Sequence, residues 1–355
     1  MKYTETLIPH CLAVAALALA TSVATAQPKA VPTSTAAASY QGADRQQRLI
    51  EGAKKEGELL VYTSAPVDDM AAVTAAFEKK YGIRVKVWRA GSENVLQRTV
   101  TEGKAGRFDA DIIETNGPEL ETLHREKMLQ KVQSPYVAEL IPQAIQPHGE
   151  WVSTRINIFT AIYNTKLVKK EDLPTSYHDL LNPKWKGKLG IEAEDSDWFA
   201  GEIADLGEGP GLKLFRDIVS TNGVSVRKGH TLLTNLVISG EVPLALTAYN
   251  YKAEQMKNKG APIDWFVLGK HAIARPNGVA LTLNAPHPNA AVLFFDFCLT
   301  DAQEILMKRD FVPTNKKLAT SLTKIPLKFV DVKTSLDDGG KWGKLYQDIF
   351  NKQSR

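Results

Sequence analysis

The spacing of apolar and polar positions becomes regular near residue 44. Asp44 can cap a helix over residues 44–55, with Leu49 and Ile50 turned inward. Residues 59–62 form a short apolar run that reads as a buried strand, and Thr63-Ser64-Ala65-Pro66 reads as a loop. Asp68 or Asp69 opens a helix whose Met70, Val73, Phe77 and Tyr81 share one face, and Gly82 ends it. Ile83, Val85 and Val87 alternate with Arg84 and Lys86 as a second strand. Gly91-Ser92 opens a helix with Val95, Leu96 and Val100 inward. Asp111-Ile112-Ile113 is a third strand, and Thr115-Asn116-Gly117-Pro118 opens a third helix with proline in its first turn.

Strand, polar loop and helix, repeated three times, predict a parallel α/β sheet. Right-handed crossovers bring the three loops to the carboxyl edge of the strands, where open α/β sheets hold their ligands. Thr63, Ser64, Ser92, Thr115 and Asn116 stand at that edge beside free helix N–H groups. The same residue types also serve as plain helix caps.

Residues 151–163 read as a long strand with Ile156, Ile158, Ala161 and Ile162 as apolar members. Residues 188–191 form another strand, which runs into Glu192-Ala193-Glu194-Asp195-Ser196-Asp197-Trp198 and a helix. Residues 212–219 and 231–239 are helical, with a strand at 224–226 between them. Residues 243–246 lead through Thr247-Ala248-Tyr249-Asn250-Tyr251 into a helix ending at Lys259. Strands follow at 265–267 and 278–281, and residues 289–306 and 318–350 read as mostly helical. This is a second α/β lobe with its own loop edge.

The amino terminus changes the picture. Lys2, an apolar run at 11–20 and Ala24-Thr25-Ala26 before Gln27 describe a secretory signal peptide over residues 1–26. Residues 27–43, rich in Ala, Ser, Thr and Pro, read as a flexible leader. Export places the mature chain in the periplasm, with Cys298 as its one cysteine. A net charge of +4 over 355 residues is too thin for a nucleic-acid binder. The chain contains no GxSxG, HExxH, GxxxxGK[ST] or GxGxxG motif, so an enzyme is not expected.

Several segments together resemble a known family. They are Leu60-Val61-Tyr62-Thr63-Ser64, Ala76-Phe77-Glu78-Lys79-Lys80-Tyr81-Gly82-Ile83, Ala110-Asp111-Ile112-Ile113, Tyr163-Asn164-Thr165-Lys166-Leu167, Asn182-Pro183-Lys184-Trp185-Lys186-Gly187-Lys188 and Ala285-Pro286-His287-Pro288-Asn289-Ala290-Ala291. The chain resembles the bacterial extracellular solute-binding proteins of ABC importers, and among them the ferric-iron-binding group. The resemblance implies an α/β, two-lobed periplasmic-binding-protein fold of type II-like form. Each lobe is then a mostly parallel sheet flanked by helices, with the ligand cleft between lobes. It implies residues 44–155 with 277–305 as one lobe, and 156–276 with 306–355 as the other. It implies a monomer that closes on a ligand by hinge motion and docks on the transmembrane subunits of an ABC permease.

Set against the ferric group, Pro66 stands near the family's histidine, Thr115 with Glu114 near its acid, and Asp195-Ser196-Asp197 at its anion loop. Tyr251 matches one of its paired tyrosines, and Tyr249 is displaced from the other. The expected ligand-binding set is therefore Thr63, Ser64, Ser92, Thr115, Asn116, Arg155, Asp195, Ser196, Asp197, Trp198, Tyr249, Tyr251 and Arg275. Arg155 and Arg275 lie near the interlobe crossings, where Arg155 could hold a ligand carboxylate bidentately, set against an interlobe ion pair. His230 stands at a helix start, where capping or a surface position is the reading set against ligation. Two ligand readings stay open. In the first, Fe(III), free or chelated, is cargo held by Tyr249, Tyr251 and Asp197, with no resident cofactor. In the second, a small polar organic solute binds without metal.

Overall fold

Three short strands at the front of the chain are parallel: β1 (Glu58–Thr63), β2 (Arg84–Arg89) and β3 (Ile112–Asn116), with β1 between the other two. The computed structural model describes Met1, residues 33–318 and residues 325–351. The expected signal peptide beyond Met1 and residues 27–32 of the leader lie outside the described residues. The helix Val67–Tyr81 joins β1 to β2, buries Met70, Val73 and Phe77, and stops where Gly82 turns left-handed at φ 71°. The helices Ser92–Lys104 and Gly117–Arg125 start at the carboxyl ends of β2 and β3. The three expected loops therefore do share one edge.

The chain then lays down β4 (Leu129–Gln130) and β5 (Trp151–Asn164). Fourteen residues of β5 extend ~46 Å at the usual rise, enough to serve two sheets. Its first part pairs antiparallel with β10 (Ala272–Thr282), which also pairs with β3. Its last part pairs with β8 (Leu244–Tyr249) and β9 (Ile263–Phe266). β8 is followed outward by β6 (Leu189–Glu192) and β7 (Ser225–Arg227), both parallel to it. Two α/β lobes result, joined through β5 and β10. The short β11 (Val312–Pro313) and β12 (Leu327–Phe329) add to β5 and β10. The helix Pro288–Leu299 is buried on nearly every position and packs over the front sheet.

Some expectations need correction. Within the expected leader, Thr33–Ser39 form a helix: Ser34 Oγ donates to the Leu283 carbonyl (3.1 Å), Gln133 N–H donates to the Ala38 carbonyl (2.8 Å), and Ala38 is buried. Asp44 gives no side-chain cap, because its carboxylate takes the Tyr40 hydroxyl and Arg48 Nε instead. Val87 points outward, 43% exposed, because β2 is an edge strand. Residues 318–350 are not all helical, since β12 interrupts them. β10 begins at Ala272, six residues before the expected strand at 278–281. Arg275, Pro276 and Asn277 hide it from an apolar pattern. Pro276 is accommodated beside a register shift at Asn277/Gly278, the kind of irregularity where proline is tolerated in a sheet.

Tyr249 and Tyr251 lie in different elements. Two residues apart on one strand they would share a face. β8 ends at Tyr249, however, and Tyr251 lies in the helix Asn250–Asn258. The chain turns between them, yet the two rings stay nearly parallel, with centres 5.8 Å apart.

Candidate functional site

A cleft of about 880 Å³ opens where the carboxyl ends of β1–β3 face those of β6 and β8. One wall carries Ser64, Arg89, Gly91 and Ser92, the other Glu192, Asp195, His230 and Tyr249, and the floor carries Arg155, Asn157, Arg275 and Asn277 from β5 and β10. Ser64 Oγ accepts the Thr115 hydroxyl at 3.0 Å. Arg89 donates to the carbonyls of Ala65 (3.2 Å) and Ser64 (3.4 Å) and meets no carboxylate among the described residues.

The two expected arginines are both half-committed. Arg155 Nη1 donates to Glu114, which also accepts the Thr63 hydroxyl, and its Nε is buried without a partner. Arg275 Nη1 donates to both oxygens of Asp197 (3.2 and 3.1 Å), and its Nε is likewise unpartnered. The Arg275 guanidinium lies 4.8 Å from the Phe159 ring centre and 5.5 Å from that of Tyr249.

The second wall collects metal-ligating groups. Glu192, Asp195 and His230 each offer a ligand atom within 4.8 Å of the others. Asp195 Oδ1 lies 3.3 Å from His230 Nε2, while Asp195 Oδ2 and His230 Nδ1 are buried without hydrogen-bond partners. Glu192 accepts the N–H groups of Glu194 (2.6 Å) and Gly229 (2.8 Å). Burial, and then the neighbouring Asp195, raise the Glu192 carboxyl above its ordinary pKa. For Asp195 burial acts upward too, but His230 and Arg275 outweigh it and hold the carboxyl below its ordinary value. The Tyr249 ring lies over the His230 imidazole, centroids 3.9 Å apart. Tyr251 stacks on Phe311 at 4.0 Å; burial pushes its phenol well above the ordinary tyrosine value, against the pull of Arg155.

Of the expected residues, Ser64, Ser92, Asn116, Arg155, Asp195, Tyr249, Tyr251 and Arg275 line the cleft. Thr63, Thr115, Ser196, Asp197 and Trp198 do not. Thr63 and Thr115 are fully buried under the first wall, bonded to Glu114 and Ser64. Asp197 is held by Arg275. Trp198 is a core anchor between Tyr177 (6.2 Å) and Phe215 (5.9 Å), ring centre to ring centre. Sequence reasoning passed over Arg89, Asn157, Glu192 and Asn277, and read His230 at a helix start as a cap or surface group more than as a ligand. Asn157 had a signal, an amide between Ile156 and Ile158 in a stretch read as a long strand, whereas Asn277 lay outside the strand expected at 278–281.

A family model described as "Bacterial extracellular solute-binding protein" matches residues 72–326. Iron uptake protein A1 of Synechocystis sp. is 24% identical over 290 residues, 75% of this chain and 80% of that protein. The Fe(3+)-binding periplasmic protein of Serratia marcescens is 24% identical over 204 residues, 57% of this chain and 60% of that protein, so the match spans less than two thirds of its length. Among solved structures, iron-bound HitA from Pseudomonas aeruginosa superposes with a TM-score of 0.71 at 22% identity, over 82% of this chain and 99% of that one. The periplasmic binding protein AfuA from Actinobacillus pleuropneumoniae, with fructose-6-phosphate bound, gives 0.74 at 21% identity over 84% and 99%. These likenesses show the two-lobed periplasmic-binding-protein fold.

Proposed function

The chain belongs to the bacterial extracellular solute-binding protein family, and from that premise we propose that it is the periplasmic component of an ABC importer that captures a ferric species in its interlobe cleft. The observation that carries the reading is the grouping of Glu192, Asp195 and His230, all within 4.8 Å, beside Tyr249. Two of their buried ligand-type atoms lack partners, which suits a guest that supplies the missing contact. The names of the iron-binding relatives point the same way. Residues 1–26 then direct export, and the mature chain works in the periplasm as a monomer.

The mechanism is capture rather than turnover. Fe(III) is the cargo, and the ligand atoms are carboxylate oxygens, an imidazole nitrogen and the Tyr249 phenolate. A multivalent cation stabilises the ionised phenol and carboxyls and so reverses the effect of burial on Glu192. Ligand touching both walls binds the closed arrangement better than the open one and shifts the population toward it. The closed form is the one that the membrane subunits would engage.

Titration of the purified protein with ferric citrate tests this. The expected outcome is an orange-red band from tyrosinate-to-iron charge transfer, lost in Tyr249→Phe. A colourless protein without metal by elemental analysis would end the ferric reading.

A further inference from the structure

Three asparagines on the cleft floor take no part in that donor set. Asn116 ends β3, Asn157 lies in β5 and Asn277 in β10, and their exposures are 9%, 4% and 1%. All three line the cleft. Asn116 Nδ2 donates to Ser92 Oγ at 2.8 Å. Asn116 Oδ1 accepts from Asn277 Nδ2 at 3.2 Å and, more weakly, from Asn157 Nδ2 at 3.5 Å. The network closes on itself and leaves the Oδ1 atoms of Asn157 and Asn277 buried with no partner.

Two adjacent buried amide ends without partners are costly in any packed protein, unless something that is bound part of the time completes them. The chemistry of that something is limited. Reversing the three amides together, with Ser92 donating to Asn116, keeps the network intact and leaves two NH2 groups open instead of two oxygens. A hydroxyl group donates and accepts, so it satisfies either arrangement. A bare metal ion satisfies neither NH2 group, and two neutral amide oxygens alone are a weak donor set for it. At the same edge, Arg89 has no carboxylate partner among the described residues, and the 13-residue helix Ser92–Lys104 presents its first N–H groups. Those features select negative charge.

We infer that Asn116, Asn157 and Asn277 form a hydroxyl-recognition subsite, and that the guest includes a hydroxyl-bearing organic anion, alone or as the chelator of the ferric ion. The inference rests on the cleft being the ligand site, as in the reading above. The shared chemistry is a hydroxyl near an anionic group, supplied by a hydroxycarboxylate or by a phosphorylated sugar.

Calorimetric titration of the metal-free protein with matched pairs decides it. Citrate is set against tricarballylate, which lacks only the hydroxyl, and glucose 6-phosphate against hexyl phosphate. The expected result is that at least one hydroxylated probe binds about tenfold or more tighter than its hydroxyl-free partner; which pair shows it names the source. Asn157→Leu, close in volume, is expected to remove most of that difference. Equal affinities within both pairs, or no binding of either hydroxylated probe, overturn the inference. If the variant does not fold, the pairs measured on the parent protein still decide. A colourless ferric titration would end the ferric reading and leave these comparisons standing.

Discussion

Tyr249 and Tyr251 are two positions apart and behave differently. Tyr249 sits between the His230 ring and the Arg275 guanidinium, at the cleft wall. Tyr251 is pressed on Phe311, and its burial favours the neutral phenol. Tyr251→Phe is therefore expected to dim the ferric band only modestly, whereas Tyr249→Phe removes it. A variant pair with the opposite ranking in absorbance would reverse their roles. Glu119, in the first turn of the helix Gly117–Arg125, has a second consequence. Its Oε2 is buried without a partner, and burial raises its carboxyl to about 7, with Arg275 pulling down and Asp197 and Glu93 pushing up. The folded state thus favours the neutral acid. The stabilisation is fully present below pH 4.5 and is lost as pH rises through 7. Glu119→Gln should melt above the parent at about pH 8 and match it at about pH 4, as read by thermal unfolding at the two pH values. Residue roles were only partly legible in the sequence. Ser64, Asn116 and Arg155 could be located because loops and crossings follow from the strand pattern. Trp198 and Asp197 could not be separated from Asp195, because which side of a helix start faces a cleft depends on packing that the local pattern does not contain.

At the scale of elements, the sequence reads well where one periodicity holds and poorly where two demands meet. The front strands and their helices follow the apolar spacing nearly to the residue, as the helix Val67–Tyr81 and its Gly82 stop illustrate. β10 does not, because one stretch must pair with β3, β5 and β12 while presenting Arg275 and Asn277 to the cleft. The turn from β8 into the helix Asn250–Asn258 was hidden because neither glycine nor proline between Thr247 and Tyr251 marks where the strand stops. Gly278, next to the register shift, approaches the Val152 carbonyl so closely that an added Cβ would lie 2.2 Å from its oxygen. Gly278→Ala is expected to destabilise the protein by about 3 kcal/mol, through backbone displacement where β5 and β10 run together. Urea unfolding measures this, and a change within about 0.5 kcal/mol would show that the crossing yields freely.

Over the whole molecule, the lobes meet along a line of polar contacts beside the cleft. Lys228, beyond β7, lies 3.7 Å from Glu93 in the helix Ser92–Lys104, and Gln255 Nε2 donates to Asp69 at 3.2 Å. Lys228 and Glu93 are both well exposed, so their attraction is weak and screened by salt. Closure then depends mainly on what the guest contributes. The two-lobed architecture was legible because strand–loop–helix units and two long crossing strands have few ways to assemble. The guest was not, since the groups that line the cleft come from separate strands and helix starts brought together only by the fold. The most direct measurement is therefore a crystal structure of the protein loaded with ferric citrate, with anomalous diffraction data collected at the iron edge. The account predicts one strong iron peak between the lobes, in bonding distance of Tyr249 Oη and of the Glu192, Asp195 and His230 group. Closed lobes around a cleft with no iron peak, or iron bound only elsewhere on the surface, would contradict it.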